Sequence, residues 1–102
     1  MSQEKASAAA RITELAQETL QIEADAIQNL KNKLAANNAA TFVKAIELLL
    51  ACHGRIVVSG IGKSGHIARK VAATFASTGS PAFFVHPAEA SHGDLGMVTK
   101  SD

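Results

Sequence analysis

Apolar residues recur every three or four positions through the first third of the chain, which predicts an amphipathic helix over residues 3–36. The pattern allows either one long helix or two helices with a bend near residues 20–24. Asn37 and Asn38 then predict a stop and a new N-cap. A second helix is predicted over residues 39–53. The positions that share the apolar face of the first helix are Ile12, Leu15, Thr19, Ile22, Ala26, Leu30 and Leu34.

The pattern changes after Gly54, a residue type that commonly follows a helix end. Residues 55–59 form a short β-branched run typical of a buried parallel strand, and residues 82–85 form a second. Residues 65–78 between them have helical spacing, and one helical turn is predicted at residues 88–92. Strand, helix and strand in this order predict a right-handed βαβ unit.

Two strands make a small sheet, since doubly wound folds usually have five or more. We therefore expect an α/β fold in which the chain is the N-terminal portion of one larger domain. Residues 1–53 are its helical segment, and residues 54–102 hold the βαβ unit and a loop.

The composition of the chain argues against several classes of function. The 102 residues carry a formal net charge of +1, which argues against a nucleic-acid binder, and an aromatic content of 4% argues against base stacking. Cys52 is the single cysteine, which fits a reducing compartment. The sequence has no apolar run of membrane-spanning length and does not start like a secretory signal. These features predict a soluble cytoplasmic protein.

A glycine loop, Gly60-Ile-Gly-Lys-Ser-Gly65, directly follows the first strand. The P-loop pattern fails, because Val57 stands where its first glycine is required. The dinucleotide pattern matches, yet His86 stands where an acidic residue would hold the ribose. A sugar-phosphate loop is the third alternative, with Lys63 as the cation and Ser64 as a helix cap or oxygen ligand. A plain tight turn with a solvated lysine remains open beside these.

A second loop, from residue 86 to residue 94, is dense in titratable groups. His86 and His92 can pass protons near neutral pH or share a metal, and Glu89 can orient an imidazole. Each residue alone is more often a cap, a turn residue or a solvated side chain. His66 borders the glycine loop and is read as structural.

Together these stretches resemble the D-arabinose 5-phosphate isomerases of the KpsF/GutQ type, which contain a sugar isomerase (SIS) domain. The motifs that carry the resemblance are Val57-Val-Ser-Gly-Ile-Gly-Lys-Ser-Gly-His66, Ala73-Thr-Phe-Ala-Ser-Thr-Gly79 and Phe83-Phe-Val-His-Pro-Ala-Glu-Ala-Ser-His-Gly-Asp-Leu-Gly96. The resemblance implies a three-layer αβα fold with a flavodoxin-like parallel sheet, here only its N-terminal helices and one βαβ unit. It also implies a homo-oligomer, usually a tetramer.

The resemblance implies roles for individual residues. Lys63 and His92 fall on catalytic positions, and His86 on a position linked to a divalent metal such as zinc; no cofactor is otherwise required. Gly79 and Ser80 are placed beside the sugar, although the predicted topology puts them at the opposite end of the sheet from Lys63. A neighbouring subunit that completes the site would reconcile the two. With the loop residues named above, the expected substrate-binding set is Gly60, Gly62, Ser64, Gly79, Ser80, Glu89 and His92.

The expected activity is the interconversion of D-ribulose 5-phosphate and D-arabinose 5-phosphate through a cis-enediolate, which supplies Kdo for lipopolysaccharide. A Ser-rich phosphate loop, a catalytic Glu and a further His of the family are absent from these 102 residues. Two alternatives are a sugar-phosphate-binding SIS module without catalysis and an inactive oligomerising fragment. No nucleic-acid or membrane partner is expected.

Overall fold

The computed structural model describes residues 2–36 and 39–102, so the predicted helix stop at Asn37 and Asn38 lies outside the described residues. Helix α1 spans Ser2–Ala36 as one continuous helix of 35 residues, about 52 Å long at 1.5 Å per residue. The single-helix alternative is therefore the one found. Helix α2 spans Ala39–Leu50.

The chain divides into two compact units, residues 1–44 and residues 45–102. In the first unit, no side chain of α1 is buried, and the large apolar residues Ile12 and Ile22 are 68% and 70% exposed. The apolar stripe that the sequence predicts is present on α1, but it is left open to solvent within this chain.

The second unit contains the predicted βαβ arrangement. Strands β1 (Ile56–Val58) and β2 (Ala82–Phe84) pair in parallel, with Val57 opposite Phe83. Helix α3 (Gly62–Ser77) connects the strands and packs against both of them. Its buried positions are small, which lets the helix backbone approach the sheet closely. The residues buried at this contact are Gly65, Ala68 and Ala72 of α3, and Val85 just after β2 is also buried.

Helix α2 ends three residues earlier than predicted. The Cys52 amide donates to the Leu49 carbonyl at 3.2 Å, and the Cys52 thiol donates to the Arg55 carbonyl at 3.7 Å. These bonds turn the chain toward β1 before a further helical turn can form. Gly54 consequently lies in the turn and does not follow the helix end.

The last residues of the chain bind back to the start of β1. The Gly54 amide donates to the Ser101 carbonyl at 2.7 Å, and the Arg55 amide donates to Oδ1 of Asp102 at 2.8 Å. The Asp102 side chain is 2% exposed and also forms an ion pair with Nη2 of Arg55 at 3.1 Å. Hydrogen bonds from the Arg55 amide, the Thr99 amide and the Arg55 side chain hold the pKa of Asp102 well below its usual range. We call residues 98–102 the terminal strap.

Two short helical segments follow β2. Helix α4 spans Pro87–Ala90, which confirms the helical turn predicted at residues 88–92, and a 3₁₀ helix spans Asp94–Met97. Within residues 2–36 and 39–102, no helix is long and apolar enough to cross a membrane.

Candidate functional site

The turn from β1 into α3 depends on glycine at two positions that touch. A Cβ atom on Gly60 would lie 2.9 Å from the Ser64 carbonyl carbon, and one on Gly65 would lie 2.6 Å from the Gly60 oxygen. Gly62 has a φ of +57°, a left-handed conformation that L side chains rarely adopt. The three glycines therefore make the turn compact, and α3 begins at Gly62 instead of residue 65.

Because α3 begins early, Lys63 and Ser64 lie in its first turn rather than in a loop before it. The predicted capping role of Ser64 is wrong, since Ile61 occupies the N-cap position and makes no side-chain capping bond. Lys63 is exposed and, within the described ranges, its ammonium group has no hydrogen-bond or ion-pair partner. The first turn carries no acidic residue. The positive charge of Lys63 therefore lies at the N-terminus of α3, where the helix dipole is also positive.

The second predicted loop begins at His86, which caps α4. Its Nδ1 atom accepts a hydrogen bond from the Ala88 amide at 3.1 Å. The imidazole also meets Phe84 edge-on, with ring centroids 6.4 Å apart. Since Nδ1 is an acceptor, neutral His86 carries its proton on Nε2.

Farther along this loop, local hydrogen bonds hold the chain in place and leave the Glu89 and His92 side chains without a part in them. The His92 amide donates to the Glu89 carbonyl at 3.0 Å, and the Ser91 hydroxyl donates to the Pro87 carbonyl at 3.2 Å. The Glu89 and His92 side chains are exposed. The glycine loop and this loop both follow the carboxyl ends of parallel strands, so they share one edge of the sheet, as predicted.

An open cavity of about 240 Å³ lies between these two loops. It contains three of the predicted site residues, namely Gly60, Gly62 and His86. Lys63, Ser64, Glu89 and His92 lie outside its lining, and their predicted roles stay predictions. The complete lining is Gly60, Gly62, Gly65, His66, Arg69, Phe84 and His86.

The cavity includes two basic residues that the sequence analysis did not assign to a site. The Arg69 guanidinium carbon lies 4.1 Å from the centre of the Phe84 ring, a cation–π contact. His66 lines the same cavity one helical turn earlier. The spacing of Gly62, His66 and Arg69 indicates that they share one flank of α3. The contact of Arg69 with Phe84 could not be predicted, because it joins residues 15 positions apart in the sequence.

Gly79 and Ser80 lie at the other edge of the sheet, as the predicted topology implies. They line a separate cavity of about 200 Å³. In one copy of the chain they do not share a site with Lys63, so their predicted contact with the sugar still requires a neighbouring subunit. The other residues of this cavity are Leu49, Leu50, Cys52, Gly54, Ile56 and Pro81.

His86 holds a hydrogen bond that ligation of a metal ion would break. Ligation through Nε2 would move the imidazole proton to Nδ1, where it would face the Ala88 N–H donor. Ligation through Nδ1 would displace that same bond. No group of three or more His, Cys, Asp or Glu side chains suited to a metal occurs among the residues the structure describes. The metal role of His86 remains a prediction from the resemblance.

Comparison with known proteins places the chain in a family. The SIS domain family model matches residues 49–102, which covers both loops and the sheet. The chain belongs to the SIS domain family, so the predicted fold family is confirmed.

Two relatives carry a more specific description. The chain is 60% identical over 87 residues to the arabinose 5-phosphate isomerase KdsD of Pseudomonas aeruginosa, covering 85% of this chain and 26% of that protein. It is 55% identical over 85 residues to the arabinose 5-phosphate isomerase GutQ of Escherichia coli K12, covering 83% and 25%. The chain spans about a quarter of the length of the curated relatives it matches.

Solved structures support the same fold. A protein of Escherichia coli CFT073 in complex with arabinose 5-phosphate superimposes with a TM-score of 0.63 at 47% identity, covering 84% of this chain and 47% of that one. A Bacteroides fragilis protein gives a TM-score of 0.60 at 41% identity, covering 78% and 46%.

Proposed function

We propose that this chain is part of an aldose–ketose isomerase that interconverts D-ribulose 5-phosphate and D-arabinose 5-phosphate. The observation that carries the proposal is the 60% identity over 87 residues to an arabinose 5-phosphate isomerase. A continuous match of that length in a chain of 102 residues must include the glycine loop. The structure neighbour in complex with arabinose 5-phosphate supports the same substrate class.

In the proposed mechanism, a base removes a proton from C1 or C2 of the sugar, a cis-enediolate forms, and the proton returns to the other carbon. The reaction moves protons without net oxidation, so it requires no redox cofactor. Lys63 supplies a cation for the developing oxyanion, and the His92 imidazole contacts the substrate. Glu89 is the carboxylate of this loop within the chain, but the resemblance assigns the base to a residue that these 102 residues do not contain.

The glycine loop is proposed to hold the phosphate end of the substrate. Gly62, where an added Cβ would meet nothing within 4 Å, leaves the backbone open to an anion, and Gly60 lets the turn close tightly beside it. The first amides of α3, including that of Ser64, are available to such an anion. This proposal is supported by the absence of acidic residues from the first turn of α3 and by the exposed cation Lys63.

A binding module without catalysis is the second candidate. It is favoured by one observation, namely that Lys63, Glu89 and His92 are exposed and that none of them lines the cavity between the two loops. Saturable binding of a pentose 5-phosphate without isomerisation would identify it. An inactive oligomerising fragment would instead assemble without binding the sugar.

The cellular setting follows from the proposed activity. We place the isomerase in the cytoplasm as a homo-tetramer, with its product feeding Kdo and lipopolysaccharide synthesis. Capsule and sugar-alcohol metabolism are the competing routes.

The decisive experiment is an isomerase assay on two proteins. The first is this 102-residue chain. The second is a chimaera in which the chain replaces the matching segment of the Pseudomonas aeruginosa relative. We expect the chimaera to convert D-arabinose 5-phosphate to D-ribulose 5-phosphate and the short chain to have little or no activity. A folded chimaera that binds the sugar without turnover would support the binding module and overturn the isomerase proposal.

A further inference from the structure

Arg55 lies immediately before β1, and its side chain contacts three parts of the chain that are far apart in the sequence. Its guanidinium carbon lies 4.3 Å from the centre of the Phe83 ring in β2, a cation–π contact. Its Nη2 atom donates to the carbonyl of Met97, the last residue of the 3₁₀ helix. The same nitrogen forms the ion pair with Asp102 at 3.1 Å. One side chain therefore joins β2, the 3₁₀ helix and the terminal strap.

Two of these contacts stand at the two ends of the segment that carries His92. We call residues 86–97 the His92 segment. Phe83 lies in β2 shortly before this segment, and Met97 is its last residue. Holding both ends of a flexible segment at one point removes the conformations in which the ends separate. The contacts of Arg55 therefore restrict how far the segment can move away from the sheet.

The hydrogen bonds inside the His92 segment are local and do not tie it to the sheet. The Gly96 amide, for example, donates to the Gly93 carbonyl at 3.0 Å. In the described part of the chain, the hydrogen bonds of the segment stay within it and the residue after it, apart from the bond between Met97 and Arg55. Local bonds give the segment its turns, and the bond to Arg55 sets its position relative to β1.

The guanidinium group of Arg55 is itself held in a fixed orientation. The two carboxylate oxygens of Asp102 accept from its Nε and Nη2 atoms at 3.4 Å and 3.1 Å. The Asp102 side chain is 2% exposed and is fixed in turn by the Thr99 amide, which donates to Oδ2 at 2.8 Å. A planar guanidinium can stack on a ring and donate from its edge to a carbonyl and a carboxylate at the same time, which an ammonium group cannot do.

We propose that Arg55 is a positioning residue that holds His92 in place for the substrate. Arg55 precedes β1 and so lies at the amino edge of the sheet, whereas Lys63 follows the carboxyl edge. Arg55 therefore acts on the substrate only through the His92 segment. The inference rests on the proposed function, in which His92 contacts the sugar phosphate. It adds that this contact depends on a clamp formed by Phe83, Arg55 and Met97.

The clamp predicts a specific kinetic effect of Arg55→Met in the isomerase chimaera. Methionine keeps an unbranched apolar side chain against Phe83 and removes the charge and the N–H donors. When only a fraction of the molecules holds the segment in place, the apparent affinity for substrate falls by that fraction. The KM for D-arabinose 5-phosphate should therefore rise about tenfold, while kcat stays within about twofold of the unsubstituted chimaera.

Two further variants control this measurement. Arg11→Met removes an arginine of α1 that is 59% exposed and pairs with the exposed Glu14, so KM should not change. Arg55→Lys keeps a cation opposite Asp102 and should give a KM between those of Arg55→Met and the unsubstituted chimaera. An unchanged KM in Arg55→Met would overturn the proposal, whether or not kcat falls.

A second experiment measures the clamp without catalysis, in the 102-residue chain. Backbone order parameters from ¹⁵N relaxation are about 0.85 for rigid residues and below about 0.6 for flexible ones. In Arg55→Met, the values over residues 86–97 should fall below about 0.6, while those of α3 stay near the rigid value. Unchanged values in the segment, or an equal fall in α3, would overturn the proposal. If Arg55→Met does not fold, Arg55→Lys is measured by the same two criteria.

The two experiments separate this proposal from the proposed function. If the chimaera binds D-arabinose 5-phosphate without turnover, the isomerase proposal fails, and the Kd of the sugar phosphate replaces KM in the same comparison. A Kd about tenfold weaker in Arg55→Met, with a loss of order limited to the His92 segment, would still support the clamp. A Kd equal to that of the unsubstituted chimaera would overturn it.

Discussion

Lys63 is the residue whose position in α3 bears most directly on the proposed chemistry. Its ammonium group is exposed in the first helical turn, where the helix dipole adds to its charge. In the isomerase chimaera, Lys63→Ala should lower kcat about 10²- to 10³-fold, because the enediolate oxyanion loses a cation that acts in the transition state. The measurement is steady-state turnover of D-arabinose 5-phosphate.

The control for this substitution is Lys31→Ala, which removes a lysine from α1 that has no place in the proposed site. Its kcat should equal that of the unsubstituted chimaera. If Lys63→Ala retained full turnover with an unchanged circular dichroism spectrum, the catalytic role of Lys63 would be wrong.

Gly60 shows how a single residue sets the geometry of the glycine loop. Gly60→Ala should destabilise the 102-residue chain by about 1–3 kcal/mol, since its new Cβ would lie 2.9 Å from a backbone carbon that cannot move freely. Gly96→Ala is the control, because a Cβ at Gly96 meets nothing within 4 Å. Urea unfolding of both variants checks the difference, and equal midpoints would contradict the argument.

At the scale of elements, the terminal strap is held to β1 by a carboxylate with a lowered pKa. Because the pKa of Asp102 is lower in the folded state than in the unfolded state, the ionised side chain stabilises the fold at pH values above the unfolded aspartate pKa of about 3.9. That contribution is lost as the pH falls through the lower folded value. Asp102→Asn should therefore be less stable than wild type at pH 7. The difference between the urea midpoints of the two proteins should shrink as the pH falls below about 4.

Lys31→Ala is also the control for the strap, because it changes the charge of the chain without changing a residue at β1. Its urea midpoint should differ from that of wild type by the same amount at pH 7 and at acidic pH. A difference between wild type and Asp102→Asn that stays constant from pH 7 to strongly acidic pH would show that the ionised carboxylate does not stabilise the strap.

The elements differ in how far the sequence could predict them. The βαβ unit was predictable because β-branched runs, a glycine loop and helical spacing are local patterns. The start of α3 was not, because a glycine with a φ of +57° reads as a helix breaker although it lies at the first helical position. The contacts of Arg55 with Asp102 and of Arg69 with Phe84 join residues that are far apart in the sequence, so the spacing of residues could not predict them. Both loops of the candidate site were predictable, but the cavity between them was not.

At the scale of the whole molecule, the described residues bury little apolar surface. Ala68, Ala72 and Val85 are the buried apolar side chains among residues 2–36 and 39–102, while large apolar residues on α1 and α2 are exposed. A core of this size gives a small margin of stability. Association that covers the exposed stripes should then contribute a large share of the stability of the folded state.

This reasoning predicts that the melting temperature of the 102-residue chain depends on its concentration. If association and folding are coupled, a hundredfold increase in concentration should raise Tm by about 5–10 °C, because mass action favours associated folded chains over separate unfolded ones. The measurement is thermal unfolding by circular dichroism at several concentrations. Ile22→Glu should melt at a lower temperature and with a weaker dependence on concentration, since it places a charge on the exposed apolar stripe of α1 and removes no residue of the core. A wild-type Tm that does not change with concentration would mean that the single chain is stable without its exposed stripes being covered.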